Sequence, residues 1–227
     1  TLHGLDDTGA HYLSRSLREC SGLLLVRHLR IGRCNVSDTG FASICAAWAD
    51  GALPILSTLM APMNPLGDFA AAALSDALAA GAGQHLKALD LRDTCIGDSG
   101  VSQLMHSLTI ASRPSTRSLR HILLDNTWIT DCGGRAIAEV YKSADAFGRQ
   151  WVMPAHDGAY RDLQYNRSMP ALDISIAQCA IPEDVQADIH RSRMAMPRVA
   201  RLREKMAAYA RLYAARVLYD LWAPDKV

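Results

Sequence analysis

Eight histidines, six cysteines and aspartates at positions 7, 38, 68, 98 and 131 are the side chains with which this 227-residue chain could do chemistry. A metal site needs several such groups converging on one point, and nucleophilic catalysis needs a thiol or hydroxyl within reach of a base. The spacing offers neither. There is no CxxC pair, and no cysteine has a histidine at a recognisable interval, so Cys34, Cys95, Cys132 and Cys179 read as structural thiols. P-loop, GxGxxG, GxSxG and HExxH motifs are all absent from the sequence. The expectation is a chain that is not an enzyme, with no catalytic residues, no cofactor and no metal.

Composition bounds the rest. With 49% apolar and 21% charged residues the chain can bury a core, and a net charge of +1 makes no whole-chain case for nucleic acid or lipid. No stretch approaches the ~18 uninterrupted apolar residues of a membrane span. Scattered cysteines without a disulfide framework predict an intracellular, cytoplasmic setting.

The aspartates are not scattered. Each stands in the same five-residue motif, apolar-x-Asp-x-Gly, beginning at Leu5, Val36, Ile96 and Ile129, with a copy at Leu66 that ends in Ala70 instead of Gly. The five anchors are separated by 31, 30, 30 and 33 residues. Ten residues before four of them begins a second register, Val26-x-x-Leu29-x-Ile31, Leu56-x-x-Leu59-x-Ala61, Leu86-x-x-Leu89-x-Leu91 and Leu119-x-x-Ile122-x-Leu124. The alternation at its end predicts a short strand with one buried face. After each anchor the period becomes helical, with i, i+4 pairs at Leu13 and Leu17, Ile44 and Trp48, Leu74 and Leu78, Leu104 and Leu108, and Ile137 and Tyr141. The repeated Asp then suits the start of its own helix, as a cap for orphan N–H groups.

These registers resemble the leucine-rich repeat family, L-x-x-L-x-L-x-x-N/C-x-L, and their long period is most similar to its ribonuclease-inhibitor-like subclass. The resemblance implies an α/β solenoid, with parallel strands on a concave side, helices on a convex side and, here, a long C-terminal helix. It covers residues 1–145. The family's Asn position holds Cys34, Asn64, Thr94 and Thr127, so its side-chain ladder is expected to be incomplete and the curvature irregular. Residues 146–170 read as an irregular repeat or insertion, and 171–196 as a degenerate terminal repeat built on Ile174, Ile176, Cys179 and Ile181. Leu5 is an anchor without a preceding strand, so further solenoid or a partner is expected before Thr1.

In such a stack, function falls to the outward strand residues. They form columns His28, Thr58, Ala88, His121; then Arg30, Met60, Asp90, Leu123; then Gly32, Pro62, Arg92, Asp125. Mixed charge beside Met and Leu predicts a protein-binding face whose contacts are His28, Arg30, Met60, Asp90, Arg92, His121, Leu123 and Asp125. The alternative is a solvated face on which Arg92 pairs with Asp125.

Residues 197–227 predict a capping or docking helix. Eight basic residues and one acidic lie between Arg191 and Arg216, a segment charge of 8 − 1 = +7. Arg198, Arg201, Lys205, Tyr209, Tyr213, Tyr219 and Trp222 are its candidate docking residues, facing an acidic protein surface, with nucleic acid ranked below protein and no membrane contact. The leading expectation is a scaffold subunit of a larger assembly with other protein subunits as partners. Its resemblance to axonemal repeat proteins implies a cilium or flagellum. The alternatives are a Ran-type GTPase-activating regulator, which the repeat type resembles, and a ubiquitin-ligase substrate adaptor, suggested by Trp128–Gly133.

Overall fold

The computed structural model describes residues 5–19, 25–109, 118–146 and 172–195. The order is α1 (Asp7–Glu19), β1 (His28–Arg30), α2 (Asp38–Ala49), β2 (Thr58–Met60), α3 (Asp68–Ala79), β3 (Ala88–Asp90), α4 (Asp98–Thr109), β4 (His121–Leu123), α5 (Asp131–Ala146), β5 (Asp173–Ser175) and α6 (Glu183–Ala195). The strands form one parallel sheet in chain order, β1 to β5. Leu29, Leu59, Leu89, Ile122 and Ile174 are Cα partners across it, so the rungs are in step. β4 pairs directly with β5, although the anchors Ile129 and Ile181 stand 52 residues apart. The long C-terminal helix expected at 197–227 lies outside the described residues, as does the segment 147–171.

The strands are only three residues long, yet lateral bonding runs on past them. Ile31, Ala61, Leu91 and Leu124 donate their N–H to Met60, Asp90, Leu123 and Ser175 carbonyls at 2.8–2.9 Å. Two residues later Arg33, Met63, Asp93 and Asn126 donate to Pro62, Arg92, Asp125 and Ala177 at 2.8–3.0 Å. These four residues, with Gln178 in the fifth turn, hold φ between 53° and 60°, a conformation rare for non-glycine residues, and it turns each N–H toward the neighbouring rung.

The core is the space between sheet and helices. The strand leucines and the helix pairs from Ile44 and Trp48 to Ile137 and Tyr141 are all buried, as the two periodicities required. Tyr141 also anchors β5, since its hydroxyl accepts the Ile174 N–H at 3.0 Å while burial pushes its pKa upward. The Asn position behaves as its chemistry dictates. Asn64 Nδ2 donates to Ile31 and Ala61 carbonyls, and Oδ1 accepts from Cys34 and Val36 N–H groups, joining two rungs. Thr94 reaches only the Leu91 carbonyl of its own turn, while Thr127 donates to the Leu124 carbonyl and also lies 3.4 Å from Cys179 Sγ of the next rung. There the turns are joined by direct backbone bonds, Cys95 N to Leu66 O and Trp128 N to Ile96 O, at 2.8 and 2.9 Å.

One expectation is corrected. The repeated Asp does not cap its own helix; it holds the next one. Asp38 accepts the Gly67 N–H at 2.6 Å, Asp68 the Gly97 N–H at 2.7 Å, and Asp98 the Thr130 N–H at 2.7 Å. Asp7 does the same for Ser37 at 2.7 Å. Each donor immediately precedes the next helix, and its amide points back along the stack. The series ends at Asp131, because the corresponding residue is Pro182, which has no N–H; Asp131 pairs with Arg135 at 2.9 Å instead.

In two rungs hydroxyls complete the lock. Asp7 also accepts from Ser37 Oγ and Thr39 Oγ1, and Asp98 from Thr130 Oγ1 and Gly133 N. Burial raises both carboxyl pKa values, but these bonds outweigh it and hold each below its ordinary value of 3.8. A depressed folded pKa stabilises fully above the unfolded value and is lost as the pH falls through the folded one. The chain should therefore lose stability below about pH 4 in part through Asp7 and Asp98. Asp98→Ala should cost about 1–2 kcal/mol at pH 7, a figure discounted for its partial exposure, and flatten that acid limb. Asp131→Ala should cost much less. Urea unfolding of both variants at pH 7 and pH 3.5 would measure this, and equal losses would refute the one-way lock.

Candidate functional site: the strand-lined face

The register places the outward residues as two columns. One runs His28, Thr58, Ala88, His121, Asp173; the other runs Arg30, Met60, Asp90, Leu123, Ser175. Alternation turns them away from the buried row of Leu29, Leu59, Leu89, Ile122 and Ile174.

The face is uneven. His28 and Arg30 are exposed, while Met60, His121, Leu123, Arg92 and Asp125 are half-buried. Thr58 and Ala88 are buried, so the centre of the first column is closed rather than presented, and Asp90 is buried in the second. Over Thr58, His28 Nδ1 lies 3.0 Å from Oγ1. Asp90 is accordingly not a free contact residue. At 2% exposure its carboxylate receives Arg92 Nε at 2.9 Å, Nη2 at 2.8 Å and the Arg92 backbone N–H at 3.2 Å. A buried carboxylate needs such pairing, and the forked guanidinium supplies it in the bidentate form. The bond from Asp90 raises the Arg92 pKa despite partial burial.

The pairing of Arg92 with Asp125 is therefore replaced by one with Asp90. Asp125 is turned the other way, where Oδ1 accepts from Ser175 Oγ and Ala177 N, both at 2.6 Å. Burial lowers the pKa of His121, the nearby Asp173 opposes this, and Arg120 adds to it, leaving the imidazole predominantly neutral at pH 7. His28 and His121 are separated by two intervening strands, and no group of three metal-binding side chains exists among the described residues.

Asp173 and Ser175 extend the columns and were not singled out from the sequence, although Ile174 marked their rung. Asp173 forms a half-buried ion pair of 2.6 Å with Arg193 of α6, tying helix to strand on the far side of the face. The proposed docking residues Arg198, Arg201, Lys205, Tyr209, Tyr213, Tyr219 and Trp222 lie outside the described residues. Among those described, no helix is long and apolar enough to cross a membrane.

A family model described as Leucine Rich repeat matches residues 84–105, which span β3 and the first part of α4. No curated protein matches the chain. Among solved structures, the chain is similar to leiomodin-1 actin-binding site 2, with a TM-score of 0.51 and 13% identity. That alignment covers 86% of this chain and 95% of the other, and at such identity the likeness is one of fold. The near-constant anchor spacing, the parallel strands held in step and the family match over β3 and the first part of α4 give this chain a leucine-rich repeat architecture.

Proposed function

We propose that the chain is a non-catalytic protein-interaction module, a scaffold subunit of a larger intracellular assembly that receives a partner on its strand-lined face. The observation that carries this reading is the second column. Exposed Arg30 and half-buried Met60 and Leu123 stand in one line over a fully buried leucine row, so a mixed apolar and charged surface is held rigidly. A face fixed in advance loses little entropy on binding, and apolar anchors rimmed by charge suit protein better than phosphate. The lack of phosphate-binding, dinucleotide, hydrolase and zincin motifs supports a role without catalysis. The long repeat period supports the ribonuclease-inhibitor-like subclass. It is also the basis for proposing a cytoplasmic setting such as a ciliary or flagellar axoneme.

The test is cross-linking mass spectrometry of the native complex, followed by recovery of the identified partner on variants. Arg30→Glu combined with Leu123→Glu should reduce recovery at least about tenfold, the equivalent of roughly 1.4 kcal/mol. Ala46→Glu, on the exposed side of α2, should leave it unchanged. The reverse pattern would move the interface to the helices and reject this reading.

A further inference from the structure

We propose that the rim where helices start, between Phe69 and Trp128, is a second docking site, and that its occupant is an arginine- or lysine-bearing segment of a partner protein. The site is separate from the strand-lined face and shares no residue with it.

Phe69 and Trp128 are 61% and 69% exposed, in a stack that buries most of its large apolar side chains. Phe69 stands in the first turn of α3, and Trp128 in the turn before α5. Gly97 lies between their backbones. Its N–H bonds to Asp68, the neighbour of Phe69, and it forms a parallel bridge with Trp128. A Cβ placed on Gly97 would lie 3.5 Å from Asp68 Oδ1 and 3.7 Å from the Trp128 carbonyl oxygen. The space between the two aromatic positions is thus floored by bare backbone.

The charge at this rim is negative, and part of it is unspent. Ser37 and Thr130 occupy the position before α2 and α5, and their hydroxyls take the second oxygens of Asp7 and Asp98. Before α3 and α4 that position is Gly67 and Gly97, which have no hydroxyl. Asp38 and Asp68 each receive one bond, through Oδ1, and among the described residues no donor reaches either Oδ2. The basic residue at the next helix start, Arg135, is engaged by Asp131. Asp68, next to Phe69 in the chain and linked through Gly97 to Trp128, and Asp38, bonded to the residue before α3, put open carboxylate oxygens on the same rim as the two exposed aromatic residues, which matches one class of ligand. A cation over a ring face gains from the ring quadrupole, and a guanidinium can also donate to a carboxylate. The same carboxylates repel phosphate, so a protein segment is favoured over a lipid headgroup or nucleic acid.

The test is an NMR titration of the full chain, labelled with nitrogen-15. The probes are short synthetic peptides of equal apolar content carrying arginine, glutamate or glutamine at alternate positions. The arginine peptide should shift the Gly97 and Trp128 amides and bind best, with the glutamate peptide weakest. Phe69→Ser with Trp128→Ser should weaken it about tenfold. Gly97→Ser, which the open floor accommodates and which supplies Asp68 with the missing hydroxyl, should weaken it by a factor of about three. It carries the test if the double variant does not fold. Arg30→Glu should leave the arginine peptide's affinity unchanged, which separates this site from the strand-lined face. Equal binding of the glutamate peptide, indifference to these rim variants, or no shift at the highest peptide concentration would overturn the proposal.

Discussion

Leu89→Asp should abolish cooperative unfolding of the stack. Leu89 is fully buried in β3, the middle strand, with Leu59 and Ile122 as its partners on either side. The substitution removes an apolar side chain and places a carboxylate where no donor can reach it. The expected cost is several kcal/mol, on the order of the whole stability of a domain this size. Because each rung contacts only its neighbours, the damage also divides the ladder at its centre. Loss of a single sharp transition in circular dichroism is the expected result; a melting curve like that of the unaltered chain would reject the inward register of the leucines.

The second large effect is expected at the glycine of the repeated five-residue motif. A Cβ on Gly100 would lie 2.7 Å from Asp68 Oδ1, 2.8 Å from the Ala71 Cβ and 2.9 Å from the Asp68 Cα. Backbone and Cβ atoms cannot step aside as a flexible side chain would, so α4 must part from α3 and strain the bond from Asp68 to Gly97. Gly100→Val should cost about 3 kcal/mol, a fall of roughly 10 °C in Tm. Gly133, with Asp98 Oδ1 at 2.6 Å, should respond in the same way. The chain supplies its own control. Ala70 occupies the equivalent position in the third copy of the motif, so Ala70→Gly should cost only the ~1 kcal/mol of a helical glycine. Thermal melts of the three variants would measure the contrast, and a Gly100→Val loss no larger than that of Ala70→Gly would contradict the close approach.

These two cases mark what periodicity could and could not reveal. Spacing located the strands, the buried leucines and the outward columns, because burial on one face imposes a period that any chain in this fold must carry. It also located the Asp and the Gly of the repeated motif. What it could not give was the partner of each. A carboxylate at a helix start looks the same in sequence whether it bonds its own turn or the next, and the answer lies in a neighbour about thirty residues away. The closing of Thr58 is of the same kind, since it depends on His28 from the adjacent rung. So is the choice of Asp90 over Asp125 by Arg92, a contact two residues apart on one chain segment. Phe69 and Trp128 were legible as residues but break no period, and only their exposure distinguishes them.

The central claim is that the rungs form one continuous ladder in which each Asp holds the helix start that follows. Amide hydrogen exchange in the native state tests it most directly, because N–H groups at helix starts have no intrahelical acceptor and ordinarily exchange fast. Slow exchange at Ser37, Gly67, Gly97 and Thr130 is the expected result, with Thr130 released in Asp98→Ala. Exchange of all four at the rate of an open chain would contradict it.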